Sequence, residues 1–403
     1  MNNSDTSHYE NVPFEVPESW CWTTIGELFQ LQAGKFIEAP QISTCKDATH
    51  IYPCYGGNGL RGYVESYNRD GLFPIIGRQG ALCGNINIAE GKFYATEHAL
   101  VVETFANIDI QLFVYFLIQL NLNQYATATA QPGLAVKTIN EVPIPLPPIN
   151  EQHRISMAIE KSLDTLSEID QSKHAIRKSI LQLKSRILDL AISGKLAAQD
   201  CSDEPALELL RRINPSFAPC DNRHYENIEL SIPETWCWAT VGDVFKHNTG
   251  KALNSSNRSG IIMDYITTSN LYWDRFDLST VKQMPFTEAE IEKCTVTIGD
   301  LLVCEGGDVG RSAIWNYDYD IRIQNHIHRL RGKDNICVRY FFYVFMIYKQ
   351  KNYIGGKGVA IQGLSSRDLH NLPIPVPPLK EQYRIAEALD NLIAKMNKIT
   401  VEL

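Results

Sequence analysis

The stretch HYENVPFEVPESWCWTTIGELFQLQAGK at 8–35 returns at 224–251 as HYENIELSIPETWCWATVGDVFKHNTGK, with 14 of 28 aligned positions identical at an offset of 216. A second pair closes each copy: PIPLPPINEQHRI at 143–155 returns as PIPVPPLKEQYRI at 373–385, at an offset of 230. The order is therefore unit, helix, unit, helix, and the second unit holds a net 14 extra residues between its two marks. Solenoid repeats run to roughly 20–50 residues, so a period of this length means a duplicated domain. Two similar heads in one chain suit a target with two parts.

Each head opens on a strand-like segment around Trp-Cys-Trp, passes through an amphipathic turn (Ile25, Leu28, Phe29; Val241, Val244, Phe245) and reaches a Gly-Lys pair (Gly34-Lys35; Gly250-Lys251). β-branched and aromatic runs broken by glycine turns, as at 72–76, 93–102 and 300–304, read as strands. An apolar run follows in each head, at 110–120 and 340–348. Both fall short of the ~20 residues that span a bilayer, so each reads as a buried helix and no membrane association is expected. Pro143, Pro145, Pro147 and Pro148, and again Pro373, Pro375, Pro377 and Pro378, bar a helix and let one start just after them.

The helices after these prolines carry the clearest periodicity. Ile176, Ile180, Leu183, Ile187 and Leu190 are spaced 4, 3, 4, 3; Ile385, Leu389, Leu392, Met396, Ile399 and Leu403 are spaced 4, 3, 4, 3, 4. A 3.5-residue repeat is the seam of a coiled coil, and the two helices of one chain are each other's nearest partners, most simply antiparallel. The central helix is expected at 149–193, stopping at Gly194, and the C-terminal one at 379–403; the longer central helix overhangs or bends. Residues 202–213 read as a short capped helix and 214–221 as a linker. The expected fold is α+β: two similar mixed α/β heads separated by an antiparallel coiled-coil pair of long helices, with segments 1–148, 149–213, 214–378 and 379–403.

Hydrophobic content of 44% and charged content of 21% are ordinary for a soluble globular protein, and 403 residues allow two or three domains. The polar start MNNSDTSHYE lacks the features of a signal peptide. Ten cysteines without a CxxC pair favour reduced thiols in the cytoplasm; Cys21 and Cys237, each between tryptophans, read as packing. The net charge is −8. Residues 8–148 hold 7 Lys and Arg against 13 Asp and Glu, and residues 224–378 hold 16 against 17. A DNA binder usually carries a basic face, so if DNA is the target a partner must supply much of the counterion release.

Taken in order, the hallmark segments resemble the specificity subunit of type I restriction-modification systems, over essentially the full length. They are VPESWCWTTIGELFQLQAGK and IPETWCWATVGDVFKHNTGK, the two proline junctions quoted above, and RILDLAISGKLAAQDCSDEPALELLRRI at the end of the central helix. In the first head YGGNGLRGYVESY (55–67), IIGRQGALCGN (75–85) and YATEHALVV (94–102) resemble one widespread recognition-domain subtype. In the second, DYITTSNLYWDRFDL (264–278), GDLLVCEGGDVGRSAIW (299–315) and IQNHIHRLR (323–331) resemble a divergent version. Members of the family often continue the C-terminal helix into a stretch like the central LDLAISGKL, whereas this sequence stops at Leu403. The resemblance implies two target-recognition domains reading the halves of a split, asymmetric double-stranded DNA site, with the helix pair setting the gap. It implies no catalysis and no cofactor in this chain. Two methyltransferase (modification) subunits would bring S-adenosylmethionine and flip the target adenine, and motor-nuclease subunits would cleave.

The residues agree with a non-catalytic role. No GxxxxGK[ST] loop is present. Asn214-Pro215-Ser216-Phe217 lacks the second proline of an adenine-methyltransferase loop, Gly56-Gly57-Asn58-Gly59 reads as a tight turn, and Gln324-Asn325-His326-Ile327-His328, with His98 its match in the first head, reads as structural or DNA-facing rather than metal-binding. Base readout needs paired donors and acceptors, Arg or Lys for guanine and Asn or Gln for adenine. Beside glycines, these point to Asn58, Arg61, Tyr63, Arg78, Gln79 and Lys137 in the first head. In the second they point to Lys251, Asn254, Asn257, Arg258, Asn270, Tyr272, Arg275, Arg311 and Arg367. Lys137 and Arg367, equivalent at the 230 offset, suit phosphates, because heads reading different bases still share backbone contacts. The competing reading is a binding scaffold, its heptads serving oligomerisation alone, with no DNA role.

Overall fold

A computed structural model describes residues 14–80, 82–127, 132–219, 228, 230–252, 259–354 and 364–403. The chain divides into two compact units, Met1–Asp170 and Gln171–Leu403, the division falling inside the long central helix. In the first unit the elements are β1 (Cys21–Thr24), α1 (Ile25–Leu28), β2 (Phe29–Ala33), β3 (Tyr52–Gly56), β4 (Gly59–Val64), β5 (Arg69–Gly77), β6 (Ile86–Ala95), β7 (Ala99–Thr104), α2 (Ile110–Gln119), α3 (Val136–Asn140) and β8 (Pro143–Leu146), leading into α4 (Ile149–Ile192). The second unit takes the end of α4 and adds α5 (Ala206–Ile213), β9 (Cys237–Thr240), α6 (Val241–Val244), β10 (Phe245–Thr249), β11 (Ile261–Ile266), β12 (Leu271–Tyr272), β13 (Arg275–Phe276), β14 (Lys282–Phe286), α7 (Glu288–Cys294), β15 (Thr295–Val296), β16 (Leu301–Cys304), β17 (Ser312–Ile314), β18 (Ile321–Ile323), β19 (Ile327–Gly332), α8 (Val338–Gln350), α9 (Ser366–His370), β20 (Pro373–Val376) and α10 (Leu379–Glu402).

The two duplicated sequence marks pair with each other. In the first head β1 runs antiparallel to β8, Cys21 opposite Leu146 and Thr24 opposite Pro143; in the second, β9 runs antiparallel to β20, Cys237 opposite Val376 and Thr240 opposite Pro373. Strand geometry has period two, so prolines at alternate positions all turn away from the partner, where a missing N–H costs no ladder bond. The outward carbonyls of Pro373 and Pro375 accept hydrogen bonds from the hydroxyls of Tyr348 (2.8 Å) and Tyr340 (3.1 Å) on α8. Each Trp-Cys-Trp strand then enters a one-turn helix through a capping box. The Thr24 hydroxyl accepts from Glu27 N while Glu27 takes Thr24 N, and Thr240 and Asp243 repeat the exchange.

The glutamines of the two proline junctions have the same task. Gln152 Oε1 accepts from Asp109 N at the start of α2 (2.9 Å), and its Nε2 donates to Pro147 O (2.7 Å). Gln382 does likewise with Cys337 N at the start of α8 (3.1 Å) and Pro377 O (2.9 Å). Both glutamines are buried. One side chain thus ties the apolar helix, the proline strand and the long helix together in each head.

Beyond this frame the heads differ. The first builds a six-stranded sheet in the order β2-β7-β5-β6-β3-β4, whereas the second builds two four-stranded sheets, β10-β19-β16-β17 and β14-β11-β18-β15. The apolar runs are buried helices as expected, α2 burying Leu112, Phe113, Val114 and Leu117, and α8 burying most of its length. The run expected at 93–102 is broken by a turn at Thr96–His98 into β6 and β7.

Within the second unit α4 and α10 are in contact and antiparallel. Lys184 Nζ donates to Asn397 (2.6 Å), while Asp203, past the end of α4, pairs with Arg384 (2.6 Å) near the start of α10. The seam departs from the expected heptad. Ile180 and Ile187 are buried, but Ile176 (44% exposed), Leu183 (49%) and Leu190 (36%) are not; Leu188, Ala191 and Ile192 fill the interface instead. On α10, Ile385, Leu389 and Met396 are buried and Ile399 is exposed. The end of α4 packs both on α10 and on the body of the second head, which widens its apolar face beyond a two-position seam. The capped helix expected at 202–213 begins later, at Ala206, with Pro205 as its N-cap. Gly194 takes a φ of +68°, the left-handed conformation that ends α4.

Candidate nucleic-acid interface

In the first head three loops converge on a cleft of about 760 Å³. They are the β3–β4 turn (56–59), the segment after β5 (78–80) and residues 132–134. Close backbone approach dictates the glycines: a Cβ on Gly77 would lie 2.0 Å from Gly57 O, and one on Gly57 would lie 2.6 Å from Gln79 O. Main-chain bonds then lock the loops. Arg78 N donates to His98 O (2.8 Å), Leu134 N to Arg78 O (2.9 Å) and Gly80 N to Pro132 O (2.9 Å). Asn58, Arg61 and Gln79 line the cleft with exposed side chains, joined by His98. Arg78, next to Gln79 in sequence, is half-buried and does not line the cleft. Donors and acceptors of this mix are what an edge of a base requires. Leu60 (53% exposed) and Leu82 (54%) add apolar surface at the mouth; neither has the polar groups that mark a base reader, although Leu60 adjoins Gly59 and Leu82 lies two residues from Gly80 and Gly84.

Tyr63 and Lys137 are elsewhere. Tyr63 is half-buried along β4, its backbone exchanging bonds with Ser43, and Lys137 is exposed on α3. The 230 offset holds in three dimensions, since Arg367 is exposed on α9, the counterpart of α3 before the proline strand.

The second head repeats the loop frame with other side chains. Gly34 N donates to Ala99 O and Lys35 N to Ala95 O; Gly250 N donates to Ile327 O and Lys251 N to Ile323 O. A Cβ on Gly34 would meet Ala95 O at 2.1 Å and one on Gly250 would meet Ile323 O at 2.2 Å, which accounts for the repeated Gly-Lys. Lys35 is exposed, but Lys251 is only 7% exposed; its Nζ donates to Pro285 O (2.6 Å) and Glu290 Oε2 (2.7 Å). That bond holds the Glu290 carboxyl below the usual carboxylate range. Asn270 is also buried: its Oδ1 accepts from Thr267 N, and its Nδ2 donates to Asp277 O and Thr280 O. Lys251 and Asn270 thus work inside the head, positioning loops rather than facing outward. Asn254, Asn257 and Arg258 lie outside the described residues.

Tyr272 and Arg275 pair across the β12–β13 hairpin. The Tyr272 ring has the Arg275 guanidinium 4.6 Å and the Arg311 guanidinium 5.3 Å from its centroid. Arg311 also donates to Thr268 O (2.7 Å), and Arg275 is exposed. A cationic aromatic cluster of this kind suits stacking and phosphate contact. The histidines of QNHIH part company along their strand. His328 is fully buried, its Nε2 donating to Leu364 O (2.8 Å), so its Nδ1 accepts from His247 Nε2 (3.0 Å). His326 points out and meets Glu305 (3.5 Å). Burial lowers the His247 pKa to about 4 and raises that of the neighbouring Cys304 thiol to about 11. Asn214-Pro215-Ser216-Phe217 is a turn after α5, with Phe217 buried in the core.

Two copies of one mixed α/β frame, holding unlike side chains on matched loops, define a duplicated-recognition protein. The chain belongs to the type I restriction modification DNA specificity family, whose domain model matches residues 17–181 and 233–403. It is the DNA specificity subunit of a type I restriction-modification system, a non-catalytic member of that complex, which sets aside the reading as a scaffold without a DNA role. Among relatives, it is 42% identical over 167 residues to the EcoprrI specificity subunit of Escherichia coli, a match spanning 41% of each chain. It is 26% identical over 354 residues to a putative type I restriction enzyme specificity subunit of Haemophilus influenzae, covering 86% of this chain and 82% of the relative. Its fold is similar to a chain solved in work on complex assembly and conformational transition of the type I restriction-modification system, with a TM-score of 0.61 and 16% identity over 97% of this chain and 94% of that one.

Proposed function

We propose that each head, 1–148 and 214–378, reads one half of a bipartite, asymmetric DNA site, and that the helical segments 149–213 and 379–403 set the gap between the halves. The observation that carries this reading is the duplicated loop frame: main-chain bonds match from head to head while the side chains on them do not. Matched frames offer equivalent stances on a duplex, and unmatched side chains read different bases. In the first head Asn58, Arg61, Arg78 and Gln79 would meet base edges; in the second Tyr272, Arg275 and Arg311 would do so. Tyr63, Lys137 and Arg367 would face the backbone. The acidic charge means that two modification subunits supply most of the phosphate neutralisation. Those subunits would also bring S-adenosylmethionine and the pocket for a flipped adenine, with motor-nuclease subunits joining for cleavage. Long-read sequencing of host DNA with and without this gene tests the reading. A split N6-methyladenine motif that vanishes on deletion is expected; a methylome left unchanged while the modification subunits are intact would refute it.

A further inference from the structure

We infer that Glu305 is a base-reading side chain of the second head, the counterpart of Arg78 in the first, and that it accepts a hydrogen bond from the exocyclic amine of cytosine. The inference rests on the reading that the loop frame faces DNA.

The equivalence comes from the backbone. Arg78 follows β5, which pairs with β7 so that Gly77 stands opposite Ala99; Glu305 follows β16, which pairs with β19 so that Cys304 stands opposite Ile327. Arg78 N donates to His98 O (2.8 Å) and Glu305 N to His326 O (2.9 Å). Arg78 O accepts from Leu134 N (2.9 Å) and Glu305 O from Leu364 N (2.8 Å). Three matched contacts thus put a cation and an anion at one point of one frame.

The charge inversion decides what that point contacts. A position serving phosphates would hold a cation in both heads, as Lys137 and Arg367 do on α3 and α9. A carboxylate is repelled by phosphate and gains only where a donor faces it. In the major groove the donors are cytosine N4 and adenine N6. Adenine sets its N7 acceptor beside the amine, which a carboxylate opposes, so cytosine is the better match, as guanine is for arginine. The Glu305 side chain is 28% exposed, and the outward-facing His326 ring, 3.5 Å away, steadies it.

The test places E305Q, E305A and R78A separately in the native complex and reads the methylated motif by long-read sequencing. E305A is expected to reduce discrimination about 5- to 100-fold at one base pair of the second half-site and to leave the first half-site as it was. E305Q, isosteric and able to bond adenine, is expected to move preference there from cytosine toward adenine. An unaltered motif in both Glu305 variants, with R78A still relaxing the first half-site, would overturn the role of Glu305 while leaving the interface standing. An unaltered motif in all three would overturn the interface as well. A fall spread evenly over every position in E305Q would assign Glu305 to loop structure and also overturn the inference.

Discussion

Replacing Gln382 by alanine removes the tie at the foot of the second head. The side chain is fully buried and makes two bonds to main-chain groups that have nowhere else to turn: Cys337 N at 3.1 Å and Pro377 O at 2.9 Å. Each bond contributes about 1 kcal/mol net, and each buried group left unpaired costs ~1–3 kcal/mol. The two groups together give an expected loss of roughly 2–4 kcal/mol, since such penalties overlap when the site relaxes. The loss falls where α8 starts, so the Cys337 amide should exchange with solvent faster by about 30- to 1,000-fold, a tenfold change corresponding to 1.4 kcal/mol. Hydrogen exchange read on peptides spanning 333–345 measures it directly. Urea unfolding followed by fluorescence gives the same quantity, because Trp236 packs edge-on against Tyr340 at 6.1 Å in this head. Gln152→Ala is the internal comparison: it strips Asp109 N and Pro147 O of their partner and should leave exchange at Cys337 untouched. A loss below about 0.5 kcal/mol for Gln382→Ala, within the range of ordinary surface substitutions, would refute the view that this glutamine is why the junction is repeated.

Lys251→Ala should destabilise the second head by about 1–3 kcal/mol, because the buried ammonium's bonds to Pro285 O and Glu290 are lost while Glu290 keeps its bond from Thr287 N; thermal unfolding checks this, and a folded, equally stable protein that misreads one base would return Lys251 to the DNA surface. Stability should also fall in mild acid. Burial holds the His247 pKa at about 4 in the folded state against 6.5 for the free side chain, so the unfolded chain binds the extra proton first. The contribution is complete above about pH 6.5, fades as pH falls toward 4, and should shrink in His247→Phe when urea midpoints are compared across that window.

Much of the frame was legible because it is written twice. The strand-like Trp-Cys-Trp opening, the amphipathic turns and the buried apolar helices follow from local rules of capping, period two and proline geometry, whereas the pairing of that opening with the proline run joins segments more than 100 residues apart and was not legible. The antiparallel helix pair followed from spacing, but the residues in its seam did not. A heptad assumes a single neighbour, whereas the end of α4 has two, and Leu188, Ala191 and Ile192 fall outside the heptad positions. The cleft of the first head was half legible: Asn58, Arg61 and Gln79 meet there because glycines let three loops touch. Lys251 and Asn270 carry the right donors, yet their partners Glu290, Pro285, Asp277 and Thr280 are supplied by later turns of the chain, which residue type cannot reveal. Glu305 was invisible for the opposite reason, as an acid does not suggest DNA until its backbone position in the second head is seen to match that of Arg78 in the first.

The proline strand of the second head has one more consequence. Its outer rim offers no N–H at Pro373 or Pro375, and tyrosine hydroxyls already occupy the carbonyls of both. A stray strand finds nothing there to zip onto. In a polypeptide that contains its own near-duplicate, the closing strand of the second head therefore takes one partner on its inner edge and leaves its outer rim closed to a surplus copy of the opening strand.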